Sequence, residues 1–214
     1  MQRAFYERDP LKVAKDLLGK TLVYESPEGI SSGKIVETEA YLGPEDKASH
    51  AYQNRRTGRT ETQFGPKGHA YIYLIYGMYY CFNVTSGRIP EKPEAVFFRA
   101  LEPLEGIELM KKRRPSAKGK NANLCNGPSR LCMAMGLSKK QNGADLCKPP
   151  FYIRDDAVTV GEDQIVQTTR IGVDYAAEWK TRPWRFYVKG NPFVSIKAKN
   201  QPALPSDKEK SNAR

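Results

Sequence analysis

Hydrophobic residues recur along this chain in two rhythms, and the switches between them lay out its elements. From Asp9 to Gly19, the residues Leu11, Ala14, Leu17 and Leu18 repeat at helical spacing. Asp9 stands as an N-cap before Pro10, and Gly19 supplies a stop, so the stretch predicts a helix. The period then drops to two. Thr21 to Tyr24 and Gly33 to Leu42 predict strands, joined as a hairpin across the turn-rich Ser26, Pro27, Glu28 and Gly29. In the second strand Val36, Thr38, Ala40 and Leu42 alternate with Ile35, Glu37, Glu39 and Tyr41, which puts both glutamates and the tyrosine on one face. Residues 70–84 are dense in aromatic and β-branched side chains around Gly77, the pattern of a hairpin with its tip near Tyr76, Gly77 and Met78.

Further on, Glu94 to Ala100 predicts a strand and Pro103 to about Arg113 a helix whose basic last turn complements its dipole. Lys118 to Asn126 is a polar loop. Gly127, Pro128, Ser129, Arg130 and Leu131 then open another helix, whose first N–H groups suit a phosphate. Phe151 to Arg154, Gln164 to Thr169 and Arg185 to Val188 read as short strands, and Lys197 to Arg214 as a polar, frayed tail. Strands broken by only occasional helices predict an α+β fold with a mainly antiparallel sheet. A single domain over residues 1–196, with a flexible tail over 197–214, is the expected organisation.

At 214 residues the chain is long enough for one substantial core, and its apolar runs stay far short of the roughly 20 residues that span a bilayer. Met1 to Pro10 lacks the apolar core of a secretory signal, so a cytoplasmic location, nucleoid-associated if bacterial, is expected, with no membrane partner. The four cysteines form no CxxC pair and only two histidines stand beside them, which argues against a metal site and for reduced thiols. The formal charge of +11 changes the picture more, because such a field draws in polyanions. Charge alone fits a well-solvated surface equally well. Its clustering in Arg55, Arg56 and Arg59 and in Lys111, Lys112, Arg113, Arg114, Lys118 and Lys120 tilts the reading toward nucleic acid.

Three features carry candidate chemistry. Glu37, Glu39 and Tyr41 share a strand face, a costly arrangement if that face is buried, though solvated acids on a half-exposed strand are the more ordinary reading of the pattern. The crowded tyrosines of the 70–84 hairpin resemble a stacking surface for bases, or a tyrosine-rich sheet core. An apolar hairpin tip is harder to explain as packing. The third feature is the basic segments together with the helix start at Pro128. A carboxylate, an aromatic cradle and a basic surface are what hydrolysis of a nucleoside bond within a polyanion requires.

The segments Glu37-Thr38-Glu39-Ala40-Tyr41-Leu42-Gly43-Pro44-Glu45-Asp46 with His50, and Tyr71 to Tyr79 leading to Asn83, resemble the alkyladenine (3-methyladenine) DNA glycosylase family. Arg99 to Gly106, Asn126 to Ser129 and Arg182 to Val188 match in order, so the resemblance extends to about Ser195. It implies a curved sheet with a protruding hairpin and surrounding helices. It also implies a monofunctional, monomeric enzyme that uses water on double-stranded DNA containing damaged purines, leaves an abasic site, and needs no cofactor. The matching positions make Glu39 the general base and Arg99 its positioning partner. Tyr41, His50, Tyr73 and Asn83 become the base pocket, with Asn83 crowding the 2-amino group of guanine. Tyr76, with Met78 beside it, becomes the wedge inserted into DNA, and Gly127, Ser129 and Arg130 become contacts to the DNA backbone. The faces of Tyr41 and Tyr73 would favour a cationic alkylated base by roughly 1–2 kcal/mol in a dry pocket. Residues 51–62 and 143–163 depart from the family pattern. The rival readings are a non-catalytic nucleic-acid binder on the same fold and a hydrolase of free nucleosides or sugars.

Overall fold

The computed structural model describes residues 1–198. In chain order they form α1 (Arg3–Tyr6), α2 (Pro10–Asp16), β1 (Thr21–Ser26), β2 (Gly29–Tyr41), β3 (Ala70–Ile75) and β4 (Tyr79–Thr85), followed by β5 (Ala95–Glu105), α3 (Ile107–Arg113), α4 (Pro128–Met135), β6 (Phe151–Arg154), β7 (Ile165–Thr168) and β8 (Arg185–Val188). Asp9 caps α2 as its type dictates, its carboxylate accepting from the Leu11 N–H at 2.8 Å, and Pro10 occupies the first turn. The frayed-tail expectation for 197–214 falls almost entirely outside the described residues.

The strands build one curled antiparallel sheet in the order β3-β4-β5-β2-β1-β6. The long β2 borders β5 on one side; on the other it meets β1 over Gly29–Lys34 and β8 over Glu37–Glu39, and β7 pairs only with β8. Helices α2 and α4 pack on β5, with α2 also on β2 and α4 on β4. Their Val13, Leu131 and Met135 join Ile35, Phe82, Phe98, Phe151 and Phe186 in one buried cluster. Each such side chain, taken fully out of water, contributes about 1.5–3 kcal/mol. The α+β, mainly antiparallel architecture agrees with the expectation from the sequence.

Two local readings change. Pro103 does not begin a helix: β5 continues through it to Glu105 because Pro103 pairs opposite Gly33 and Glu105 opposite Ser32. The helix starts only after Gly106, whose φ of 74° puts it in the left-handed region, and a Cβ there would stand 2.1 Å from the Ile30 carbonyl oxygen. The second change concerns the alternation in β2. Pairing steps from Ile35–Leu101 to Glu37–Ala100, which leaves Val36 extra on β2, and then from Glu37–Ala100 to Thr38–Phe98, which leaves Arg99 extra on β5. These two bulges break the strict period of two. Ile35 therefore joins Ala40 in the core rather than sharing the glutamates' face.

Candidate active site

The β5 bulge aims Arg99 at two carboxylates on β2. Its Nε donates to Glu37 Oε1 at 3.1 Å, and its terminal nitrogen lies 3.2 Å from Glu39 Oε1. Both glutamates are fully buried, so the solvated reading of that strand face is wrong. Glu37 is held on both oxygens: Arg185 donates to Oε1 at 2.7 Å, the Ser195 hydroxyl at 2.9 Å, and the Ser195 N–H reaches Oε2 at 2.7 Å. Glu39 is held differently. Its Oε1 takes the Ile171 N–H at 2.9 Å and is ion-paired with Arg99, whereas among the described residues Oε2 accepts only the Tyr41 hydroxyl at 2.9 Å. A carboxylate oxygen has two acceptor positions, so Oε2 keeps one open. Burial first, and then the Glu39 charge, push the Tyr41 phenol well above its ordinary value, so it stays a donor.

In front of this cluster lies a cavity of about 410 Å³, within the roughly 300–1,000 Å³ typical of small-ligand sites. Glu39 does not line it, but its two donors, Tyr41 and Ile171, and its ion-pair partner Arg99 all do. Tyr73, His50 and Asn83 complete the sequence-derived pocket set on the same wall. His50 meets the Tyr73 ring edge-on at 4.6 Å, and its Nδ1 lies 2.9 Å from the Tyr71 hydroxyl. Burial, then the charge of Arg59, push its imidazole down to about 4, so it is neutral near pH 7. Asn83 is fixed by its amide donating to the Tyr71 carbonyl at 3.1 Å. Both pocket tyrosines carry a guanidinium on one ring face, Arg170 4.6 Å from the Tyr41 centroid and Arg59 4.8 Å from that of Tyr73. A cationic base gains less over a ring that already faces a guanidinium than over an unoccupied one.

The hairpin tip stands apart from this packed wall. Tyr76 is 84% exposed and Met78 66%. The turn closes through the Met78 N–H to the Ile75 carbonyl, with Tyr76 and Gly77 at φ of 53° and 69°. That two-residue reversal suits Gly77 but strains a tyrosine, by about 1–3 kcal/mol. An aromatic held in a strained, solvent-facing position gains nothing from the fold itself. At the other rim Ser129 lines the cavity at the start of α4, while Arg130 donates to the Asn126 side chain at 3.0 Å and Gly127 precedes the helix in extended backbone. The basic run divides. Arg114 is turned inward onto the Leu124 carbonyl at 2.6 Å, and Arg113 pairs with Glu28 at 2.7 Å, so these two serve the fold.

A profile of the methylpurine-DNA glycosylase family matches residues 4–192. The chain belongs to that family. It is 50% identical over 204 residues to a Clostridium acetobutylicum protein, covering 92% of this chain and 98% of that one. A Clostridium botulinum protein is 50% identical (92% and 99% covered), and a Bacillus cereus protein 48% identical over 202 residues (91% and 98%). All three are named, provisionally, as 3-methyladenine DNA glycosylases. The chain is thus a DNA N-glycosylase of the DNA-repair class, with DNA as its substrate.

Several roles in the glycosylase site were not read from the sequence. Glu37 and Arg185 lay inside recognisable motifs, yet their joint task of holding Arg99 depends on strands 148 residues apart meeting. Asp46 and Arg170 form a fully buried pair, 2.5 Å apart, and Arg170 also donates to the Ala40 carbonyl behind Tyr41. Ile171 acts through its backbone N–H and leaves no side-chain signal.

Proposed function

We propose that this glycosylase turns damaged purines out of duplex DNA into the 410 Å³ cavity and hydrolyses their N-glycosidic bond with a water activated by Glu39. The observation that carries this reading is a fully buried carboxylate whose two donors and ion-pair partner line the cavity and whose Oε2 keeps an acceptor position open. Glu39 takes a proton from the water as its oxygen bonds to C1′ of the deoxyribose. The C1′–N bond breaks with its electron pair leaving on the base. Arg99, itself held by Glu37, fixes the carboxylate and keeps its charge balanced. No lysine is among the residues lining the cavity, which favours water over a Schiff base as nucleophile and an abasic site as product.

The everted base lies against Tyr41 and Tyr73 with His50 at its edge, while Asn83 crowds the 2-amino group of guanine. Tyr76, with Met78 beside it, fills the gap left in the stack and offsets part of the few kcal/mol that eversion costs. Gly127, Ser129 and Arg130 meet the sugar-phosphate backbone. The substrates in this reading are 3-methyladenine, 7-methylguanine, hypoxanthine and ethenoadenine, and the enzyme acts as a monomer. Incubation with a duplex bearing one hypoxanthine, followed by alkali, tests it. Strand scission at the lesion is expected; tight binding to DNA that stays intact would establish a non-catalytic binder instead.

A further inference from the structure

The pair Asp46–Arg170 stands behind the site, and neither residue lines the cavity. Both side chains are at 0% exposure. A buried ion pair adds little net stability over well-packed apolar side chains of the same volume, so a wholly buried one beside the proposed base calls for another reason.

The contacts of Arg170 supply it. Its guanidinium forks onto the Asp46 carboxylate at 2.5 and 2.9 Å and donates to the Ala40 carbonyl at 3.0 Å. It also lies over two rings, 4.6 Å from the Tyr41 centroid and 5.0 Å from that of Trp184. Asp46 in turn accepts the Leu42 N–H at 3.3 Å and the Ala48 N–H at 3.0 Å, which ties the fork to the chain just beyond β2.

These contacts bracket Glu39. Ala40 and Tyr41 follow it in the chain, and the Tyr41 hydroxyl donates to its Oε2. Ile171, whose N–H donates to its Oε1, follows Arg170 directly. That N–H comes from an irregular segment between β7, which ends at Thr168, and the helical turn that begins at Asp174. A donor on such a segment keeps its aim where neighbouring side chains pin it. Arg170 pins it against Ala40 and Tyr41, so a single guanidinium fixes both donors of the carboxylate, one on each oxygen.

We propose that Arg170 is a positioning residue for the general base: it holds the Ile171 N–H and the Tyr41 hydroxyl on the two oxygens of Glu39, so that the open acceptor position of Oε2 keeps its direction toward the attacking water. The assignment deepens the function proposed above and rests on it. Lysine would keep the charge beside Asp46, but it has neither a fork that reaches Asp46 and Ala40 together nor a flat face to lie between two rings.

Positioning is separated from mere support by three measurements: the single-turnover excision constant for hypoxanthine at saturating enzyme, the dissociation constant for the same duplex, and the melting temperature. In Arg170→Lys, assayed well below its melting temperature, excision should fall roughly ten- to hundredfold, as for a catalytic group displaced by a fraction of an ångström to an ångström, with duplex affinity within about threefold of wild type. Trp184→Leu alters a half-buried residue, leaves the Asp46–Arg170 pair in place and serves where Arg170→Lys does not fold. Its excision should fall roughly three- to tenfold, and Trp184→Phe, which restores an aromatic face, should recover most of that loss. A lowered melting temperature with an unchanged excision constant in the variants that fold would make Arg170 structural and overturn the inference, as would a loss confined to duplex affinity; both leave the proposed function standing. A wild-type enzyme that releases no hypoxanthine overturns that function first.

Discussion

The Glu37–Arg99–Glu39 cluster, on the central β2–β5 pair, and the tip of the β3–β4 hairpin are two regions of one sheet built on opposite terms. In the cluster, every charge is buried and paired: Arg99 bridges two carboxylates, and backbone N–H groups of Ile171 and Ser195 take up further lone pairs. At the tip, Tyr76 and Met78 stand in solvent, and Tyr76 accepts a strained backbone. Buried groups are held by what the fold supplies, and the tip is held in readiness for something the fold does not supply. Substitutions in the first region should therefore impair the chemistry or the stability of the protein, and those in the second only its binding of DNA.

The largest effect expected is on catalysis. Glu39→Gln keeps the shape of the side chain and removes the base, so single-turnover excision should fall by about 10²–10⁴-fold. Lesion binding and melting temperature should change little. Normal turnover by this variant would make Glu39 structural and erase the contrast between the regions. Next comes stability. Asp46→Ala leaves Arg170 charged and buried behind Tyr41, at a cost of about 3–5 kcal/mol, seen as a melting temperature lower by on the order of 10 °C. Tyr76→Ala should do the reverse. Its stability should stay within about 0.5 kcal/mol of wild type. Its affinity for lesion duplex should fall roughly tenfold, since an aromatic stacked on a base is worth about 1–3 kcal/mol. A loss of stability instead would place the tip among the packed elements.

The smallest effect is on pH. Burial pushes His50 down to about 4 from an ordinary 6.5, so between those values the unfolded chain binds a proton that the folded one does not. Thermal stability should rise with pH across that window and level off above it, and His50→Gln should flatten the His50 part of the rise. A profile identical in both proteins would show that His50 titrates freely.

Much of the molecule was legible before any coordinates. Capping at Asp9, the turn at Ser26–Gly29, the aromatic hairpin and the proline-led helix at Pro128 are short-range signals, and the elements appear where those signals stand. The family motifs brought Glu39, Tyr41, His50, Tyr73, Asn83 and Arg99 into view together. Other features were not legible, because they arise only when strands meet. The end of β5 was misread as a helix because pairing with β2 outweighed the local pattern of residues 103–105. The paired bulges at Val36 and Arg99 depend on the register of β2 against β5, so alternation along one strand placed Ile35 on the wrong face and gave no hint of how Arg99 is aimed.

The sequence by itself determined the element types, the basic character of the chain and the residues able to carry chemistry, since these rest on local propensity and on side-chain identity. Only the tertiary structure decided that Glu37 is spent on holding Arg99, that Ile171 serves through its backbone, and that two guanidinium groups back the pocket tyrosines. Each of those outcomes is a matter of which groups come within about 3 to 5 Å of one another across distant parts of the chain. Hydrogen bonds and close charge contacts act only over such distances.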